Sequence, residues 1–449
     1  MQYPAFVIPW LGNGMLIALD AVLHVMISHG FAIGAISMIV LAESIGMRQE
    51  NIDWDIFARR FLTALIIIVT GIGAPTGVGI WLITSAVTPK GIGSLLRVFF
   101  WPWFIEWLVF TIEVILLLLY YFTWERWRRE RKRLHLKIGI AYLACALASA
   151  VLITGILGFM ITPDSWPVRR DFIGAYFNAT FLPQLSVRLG IAITLGALFA
   201  TTFAAFSHTA DGIRLAALRL YGRIALVGFC WTTASSIWYM AMIPSSYTAH
   251  IPFALLTSHF SDRPSILGNV MAAIATTIIL YVLAASRGPL IVVRILSVPT
   301  IVMALFYVVA FERAREFIRG PYLMPGYLYA NQLLLSESHL SRKEGLSNST
   351  PWYQTLAVGD PEARGAFLFA QNCTACHTLR GVNGIVQRVK GRPEDGIVVM
   401  LGHLNEMVPF MPPFSGNDEE RHILARYLAD LPIKGDDPSR YSPYWRKSP

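Results

Sequence analysis

Apolar runs long enough to cross a bilayer recur through the first 310 residues, at 16–45, 61–86, 95–122, 138–161, 185–206, 220–243, 268–285 and 290–310. A hydrocarbon core about 30 Å thick takes about 20 helical residues per crossing. Backbone polar groups have no water to bond in lipid, so unbroken apolar runs of this length must be helices. The expected fold is therefore all-α: a polytopic membrane bundle of eight transmembrane helices in two four-helix halves. Arg287, Gly288 and Pro289 separate the last two runs, because proline with a neighbouring glycine breaks a continuous helix. The 449 residues are 55% hydrophobic and only 14% charged, which excludes a soluble multidomain enzyme, a disordered chain and a disulfide scaffold. No basic segment or small-residue cleavage site precedes the first run, which reads as a retained signal anchor.

The net charge of +9 has meaning only once it is assigned to sides of the membrane. Connections one, three, five and seven carry Arg48, Arg59 and Arg60, a cluster from Arg126 to Lys137, then Arg214, Arg219 and Arg223, and finally Arg287 and Arg294. The opposite connections carry only Lys90, Arg97, Arg169, Arg170 and Arg263. Lys and Arg concentrate on the cytoplasmic side. The expectation is a multi-pass protein of the bacterial inner (cytoplasmic) membrane, with its N-terminus and C-terminal domain periplasmic. The basic balance then serves topology and the lipid bilayer, not nucleic acid.

After Phe311 the sequence turns polar. Three parts are expected: a membrane domain over 1–320, a periplasmic linker over 321–358, and a small domain with a tail over 359–449. Cys145 and Cys230 lie in apolar runs as small hydrophobes. Cys373-Thr374-Ala375-Cys376-His377 is a complete C-x-x-C-H, in which two thiols join haem vinyl groups and the histidine becomes the proximal iron ligand. One covalent haem c is expected. Met411, in the proline-stiffened segment Phe410–Phe414 before a helix over 418–431, is the preferred sixth ligand; Met407, His403 and His422 are its rivals. The stretch Gly365–Leu431 resembles a small class I cytochrome c, a type whose haem is attached outside the cytoplasm.

Ionisable side chains inside the apolar runs need a reason, since each costs about 2.5 to 3.5 kcal/mol at the bilayer centre. The first run holds Asp20, His24 and His29, and the third holds Glu106 and Glu113. Asp20 precedes His24 by one helical turn and is expected to orient its ring. His24 and His29 differ by about 140° around the axis, so they serve different sites or one of them is merely packed. Glu106 and Glu113 share one face with about 10 Å of rise between them, which suits a proton wire or a ligand pair. His208, His250, His259 and His339 fall at helix ends or in loops and read as solvated residues, and Trp101, Trp103 and Trp107 read as an interfacial belt.

The order of His24, Glu106 with Glu113, Met271, and Glu312-x-x-Arg315 ending the eighth run resembles subunit I of the cytochrome bd oxidases over roughly residues 10–320. The resemblance implies that His24 is an axial ligand of the active-site haem and that Glu312, in its motif with Arg315, ligates the high-spin neighbour. It implies that Glu106 and Glu113 serve the proton path and the haem environment, and that Met271 matches one ligand of a low-spin haem. One to three non-covalent haems of type b, type d or both follow. The chain departs from the family in four ways. Arg188 stands where the partner histidine of Met271 belongs, and a guanidinium does not ligate iron, so it either pairs with a haem propionate or fills the site. The loop Pro244–Leu267 is short where the family builds its quinol site, which argues against quinol as donor. The two glutamates are one residue closer than in the family, and the small haem c domain replaces a ninth helix.

The reading that follows is a membrane haem oxidoreductase of a respiratory chain, with Glu106 and Glu113 in the catalytic roles. It exchanges electrons between a periplasmic c-type cytochrome or other carrier, its own haem c and the membrane haems, and reduces oxygen. The alternatives are a non-oxidase electron-transfer subunit of a larger respiratory complex and a membrane anchor with degenerate haem sites. A second membrane subunit or a homodimer is the expected assembly partner.

Overall fold

A computed structural model describes residues 6–255, 265–349 and 360–432. His259 and Arg263 lie outside the described residues, as do part of the expected linker and the tail beyond 432. Eight long helices succeed one another: α1 (Asn13–Arg48), α2 (Ile52–Val87), α3 (Phe100–Trp127), α4 (Lys132–Phe159), α5 (Phe181–Phe206), α6 (Asp211–Met242), α7 (Ser265–Arg287) and α8 (Leu290–Phe317). Among the described residues seven helices are long and apolar enough to cross a membrane, so the chain is a multi-pass membrane protein. The sixth expected span is the one not counted among them. Its second half is rich in hydroxyls, and Thr232, Thr233 and Ser236 return their hydrogen bonds to carbonyls one turn back, at 2.8, 2.9 and 2.7 Å. Such local bonding lets a polar helix lie against apolar neighbours.

The third span begins later than its apolar run. Residues 95–98 belong to a separate amphipathic helix, Pro89–Val98, and the chain turns at Phe99 before α3 starts. The break between α7 and α8 falls where expected, with Pro289 in an extended conformation ahead of α8. Helix α8 continues to Phe317, which brings Glu312 and Arg315 into its last turns.

The bundle is drawn together by glycine where α1 meets α5. A Cβ on Gly34 would stand 2.1 Å from the Ala192 carbonyl oxygen, and one on Gly196 would stand 2.1 Å from the carbonyl carbon of Gly34. Only hydrogen at both positions allows backbones this close, the usual device of helix pairs in lipid. Midway along α1 the stretch Ser28–Ala35 widens into a π-helix, and Val69–Gly73 does so in α2. Such bulges accumulate at functional sites; His29 lies within the first, and His24 about one turn before it. Trp101, Ile105, Trp107 and Phe122 face outward from α3, as a lipid-exposed helix requires.

The expected linker is partly a docked strap. A hairpin, β1 (Tyr322–Met324) with β2 (Leu328–Tyr329), buries Met324 and Leu328 against Leu95, Phe99, Phe159 and Trp166. Helix α9 (Leu335–Glu344) follows, and Leu333 and Leu346 on either side of it join the core of the C-terminal domain. That domain is built on α10 (Pro361–Asn372), α11 (Glu394–Gly402) and α12 (Asp418–Asp430), with Phe367, Leu368, Leu424 and Leu428 at its centre.

Candidate haem sites and a buried polar column

The C-x-x-C-H motif starts where α10 ends. The N–H groups of Cys376 and His377 both donate to the Cys373 carbonyl, at 3.1 and 2.8 Å, winding the motif into one tight turn. Asn383, in a left-handed conformation at φ 55°, receives the His377 Nδ1 proton on its carbonyl at 3.0 Å and donates its amide to Cys376 O at 2.8 Å. That bond directs Nε2 away from the loop, the arrangement a proximal ligand needs. Burial holds His377 below the usual imidazole range and pushes the Cys373 thiol up to about 12. Neutral imidazole is the form that binds iron. Asn372 accepts from Ser415 N at 3.0 Å, which brings the proline-rich segment with Met411 beside the motif. Met411 is partly buried, whereas Met407, His403 and His422 are exposed. These residues fit a covalent haem c.

In the membrane domain His24 directs Nδ1 to the Gly73 carbonyl at 3.2 Å and to Thr76 Oγ1 at 3.3 Å. Its ring is turned by α2, and Asp20, the expected orienting group, lies instead against Gly79 with one buried oxygen that has no partner among the described residues. One helix turn separates Asp20 from His24 along α1, but the acceptor that His24 Nδ1 meets is the Gly73 carbonyl of α2. The Nε2 atom of His24 has no hydrogen-bond partner among the described residues, so the residue fits an axial iron ligand.

His29 does not offer a free nitrogen. Ser28 donates its hydroxyl proton to Val25 O at 3.3 Å and so accepts from His29 Nδ1 at 3.0 Å, while His29 Nε2 accepts from Arg188 Nη1 at 3.3 Å. Arg188 Nη2 lies 2.8 Å from Glu312 Oε1, and Arg315 Nε lies 2.9 Å from Glu312 Oε2. Both carboxylate oxygens therefore face guanidinium groups, with the Arg188 guanidinium also 5.7 Å from the Phe311 ring centre. Glu312 thus lies between two guanidinium groups in the last turns of α8. Met271 is 40% exposed on α7, and Arg188 is 4% exposed on α5.

Glu106 and Glu113 both turn from α3 toward α4. Glu106 Oε1 accepts from Ser149 Oγ at 3.1 Å, and Glu113 is in hydrogen-bonding contact with Tyr142, whose hydroxyl lies 3.0 Å from Ala32 O. Seven residues further along α3, Tyr120 stacks on His135 of α4 with ring centres 4.5 Å apart. Residues 106, 113 and 120 thus meet 149, 142 and 135 in antiparallel register, forming a column of polar side chains along one helix interface. At its end the fully buried Glu43 of α1 accepts from the Tyr120 hydroxyl at 2.5 Å and lies 2.6 Å from both His135 Nδ1 and Lys132 Nζ. His135 Nε2 faces the Tyr120 carbonyl at 2.8 Å. Both ring nitrogens of His135 thus face oxygen atoms inside the bundle. Asp55 anchors the surrounding cations, 2.6 Å from Arg128 and in contact with Lys132.

Residues 15–250 match the family described as cytochrome bd terminal oxidase subunit I, which is more than half of the chain. The chain belongs to this family. Residues 360–428 match a second family, cytochrome c oxidase, cbb3-type, subunit III. A solved structure of the bd oxidase from Geobacillus thermodenitrificans superposes with a TM-score of 0.59 at 20% identity, covering 71% of this chain and 90% of that one. At that identity the likeness carries the fold. No curated protein matches. A bd subunit I domain fused to a cytochrome c domain has a membrane haem electron-transfer role, which calls for haem c and haems of the b or d type, with electron carriers and lipid as partners.

Against the bd family pattern, Glu43, Asp55, Lys132 and His135 were the residues that sequence reasoning passed over. Glu43 was legible as an acid inside the first apolar run, and the seven-residue spacing continues from Glu106 and Glu113 to Tyr120. Their meeting with His135 was not, since 92 residues separate Glu43 from it.

Proposed function

We propose that the protein takes electrons from an external carrier through a covalent haem c on Cys373, Cys376, His377 and Met411 and delivers them to a membrane haem held by His24, where oxygen is reduced. The haems supply one-electron transfer and, at the terminal one, oxygen chemistry. The remaining work falls to the chain. The observation that carries this reading is the His24 ring, fixed through Nδ1 on Gly73 O and left open at Nε2 inside the membrane. The column from Glu43 and His135 through Glu113 to Glu106 supports proton delivery along the α3–α4 interface. The distribution of Lys and Arg supports a cytoplasmic position for its basic end, with Arg128 and Lys132, and a periplasmic one for both termini and the haem c domain in a bacterial inner membrane.

Arg188 and Glu312 occupy each other, so in this reading Glu312 is a counter-ion for Arg188 and Arg315. That observation favours a second reading, a non-oxidase electron-transfer subunit with fewer membrane haems than its relatives. Arg188 also leaves Met271 without a histidine partner, and quinol turnover is expected to be negligible. Haem counting on the purified protein, joined to carbon monoxide binding by its reduced form, decides between the readings. We expect one covalent haem, at least one non-covalent haem, and a carbon monoxide adduct lost in His24→Ala. A reduced count of non-covalent haems with no adduct would favour the second reading, and a His24→Ala protein with an unchanged spectrum would remove His24 from the site. Glu113→Gln should keep the haem content and slow proton uptake.

A further inference from the structure

The haem-attachment loop is joined to the first membrane helix by backbone. The Trp10 carbonyl accepts from Val382 N at 2.8 Å, and the Ala375 carbonyl, from inside the C-x-x-C-H motif, accepts from Gly14 N at 3.1 Å. Three glycines make this approach. A Cβ on Gly381 would lie 1.9 Å from Trp10 O, one on Gly14 would lie 2.8 Å from Ala375 O, and Gly12, at φ +81°, approaches Thr378 within 3.1 Å of where its Cβ would stand. Distances below 3.0 Å to backbone atoms leave no room for any side chain, so the contact requires glycine on both surfaces.

Two further contacts press the same domain onto the bundle. Phe410, next to Met411, meets Phe317 at the end of α8 with ring centres 5.0 Å apart. The strap is fastened to the domain by Glu420, whose carboxylate accepts from Leu346 N and Ser347 N at 2.7 and 2.8 Å. It is fastened to the membrane side by Lys90, which pairs with Glu337 at 2.9 Å, and by Gln332, which donates to Val87 O at 3.2 Å. The segments before α1 and after α8 therefore hold the two loops proposed to carry the haem c ligands.

We infer that Trp10–Gly14 is a docking seam that positions the haem c loop over the outer end of α1, so that the C-terminal domain works as a fixed relay to the helix bearing His24. Gly12, Gly14 and Gly381 are positioning residues in this arrangement. A domain held at both loops exchanges electrons with the bundle without detaching, and an external carrier must reach it on the faces that the seam and the strap leave open. The inference rests on the reading of Cys373–His377 as the haem c site.

The test uses the full-length protein in detergent with a protease recognition sequence inserted between residues 350 and 359, followed by Gly381→Val and Gly14→Val in that background. After cleavage, the parent C-terminal domain should stay with the membrane domain through a sizing column. Both variants should release it at least about tenfold faster, since a valine at either position breaks a backbone hydrogen bond and the contact around it. Covalent haem staining, read on the same fractions, should be equal in all three proteins. Gly14→Val leaves the C-terminal domain itself untouched, so its release cannot be put down to misfolding of that domain. Release from the parent, or retention in both variants as firm as in the parent, would overturn the seam. Loss of the stain in the parent would instead overturn the haem c reading.

Discussion

The C-terminal domain and the membrane domain assemble their candidate sites at different ranges along the chain. In the first, Cys373, Cys376 and His377 occupy one turn, and Asn383 a few residues later sets the ring of the histidine. In the second, His24 is oriented by Gly73 from another helix, and Arg188 and Glu312 meet from helices that the sequence separates by 124 residues. A local site survives anything that leaves its turn intact. A site assembled from several helices depends on every crossing in the bundle, here including the glycine contact between α1 and α5.

Four expected outcomes would sharpen or break that contrast. The largest is in the local site: Cys373→Ala with Cys376→Ala should abolish covalent haem staining completely while the absorbance of the non-covalent haems persists. Loss of both signals together would show that the domains do not bind haem independently. Next comes the long-range ion pair. Arg188→Leu strips Glu312 of one buried counter-charge, and removing one partner of a buried pair costs about 3 to 5 kcal/mol, to be read as a fall in the midpoint of thermal unfolding. The double variant Arg188→Leu/Glu312→Leu should recover part of that loss; a double variant no more stable than the single one would mean that the pair has no mutual dependence.

A smaller effect is expected at the start of α12, where Asn417 Oδ1 accepts from Glu420 N at 2.9 Å and Glu420 returns a bond to Asn417 N at 3.2 Å. Asn417→Ala should cost about 1 kcal/mol, confined to the C-terminal domain and visible as faster proteolysis there with membrane-domain haem unchanged. The smallest is Arg426→Ala, which removes a solvent-exposed pair with Glu394 at 3.4 Å. Exposed pairs contribute about 0 to 1 kcal/mol, so its unfolding midpoint should be close to that of the parent, and a large drop would place Arg426 in a contact beyond this pair.

Much of the architecture was legible from hydropathy alone, and the errors are informative. Residues 95–98, Leu95-Leu96-Arg97-Val98, adjoin the apolar span, yet they close a separate amphipathic helix before the chain turns at Phe99. The segment after 321 reads as linker because it is polar, but Met324 and Leu328 bury on the membrane domain and Leu333 on the other, one or two apolar residues at a time. Asp20 and His24 have the right spacing to interact along one helix. His24 Nδ1 instead meets the Gly73 carbonyl of α2, an acceptor that no helical wheel of α1 contains.

By itself the sequence determined that the chain crosses a membrane many times and that it carries a haem-attachment turn, because hydropathy and covalent chemistry are both local properties of consecutive residues. Only the tertiary structure decided that Arg188 meets Glu312, that Glu43 meets His135, that His24 keeps Nε2 open, and that Trp10–Gly14 lies along the haem c loop. The reason is physical. In a bilayer the lipid-facing and buried sides of a helix are equally apolar, so an apolar run specifies that a helix will span without specifying which face turns to which neighbour. Those choices are made by close backbone approach and by the few polar groups that must find partners away from water.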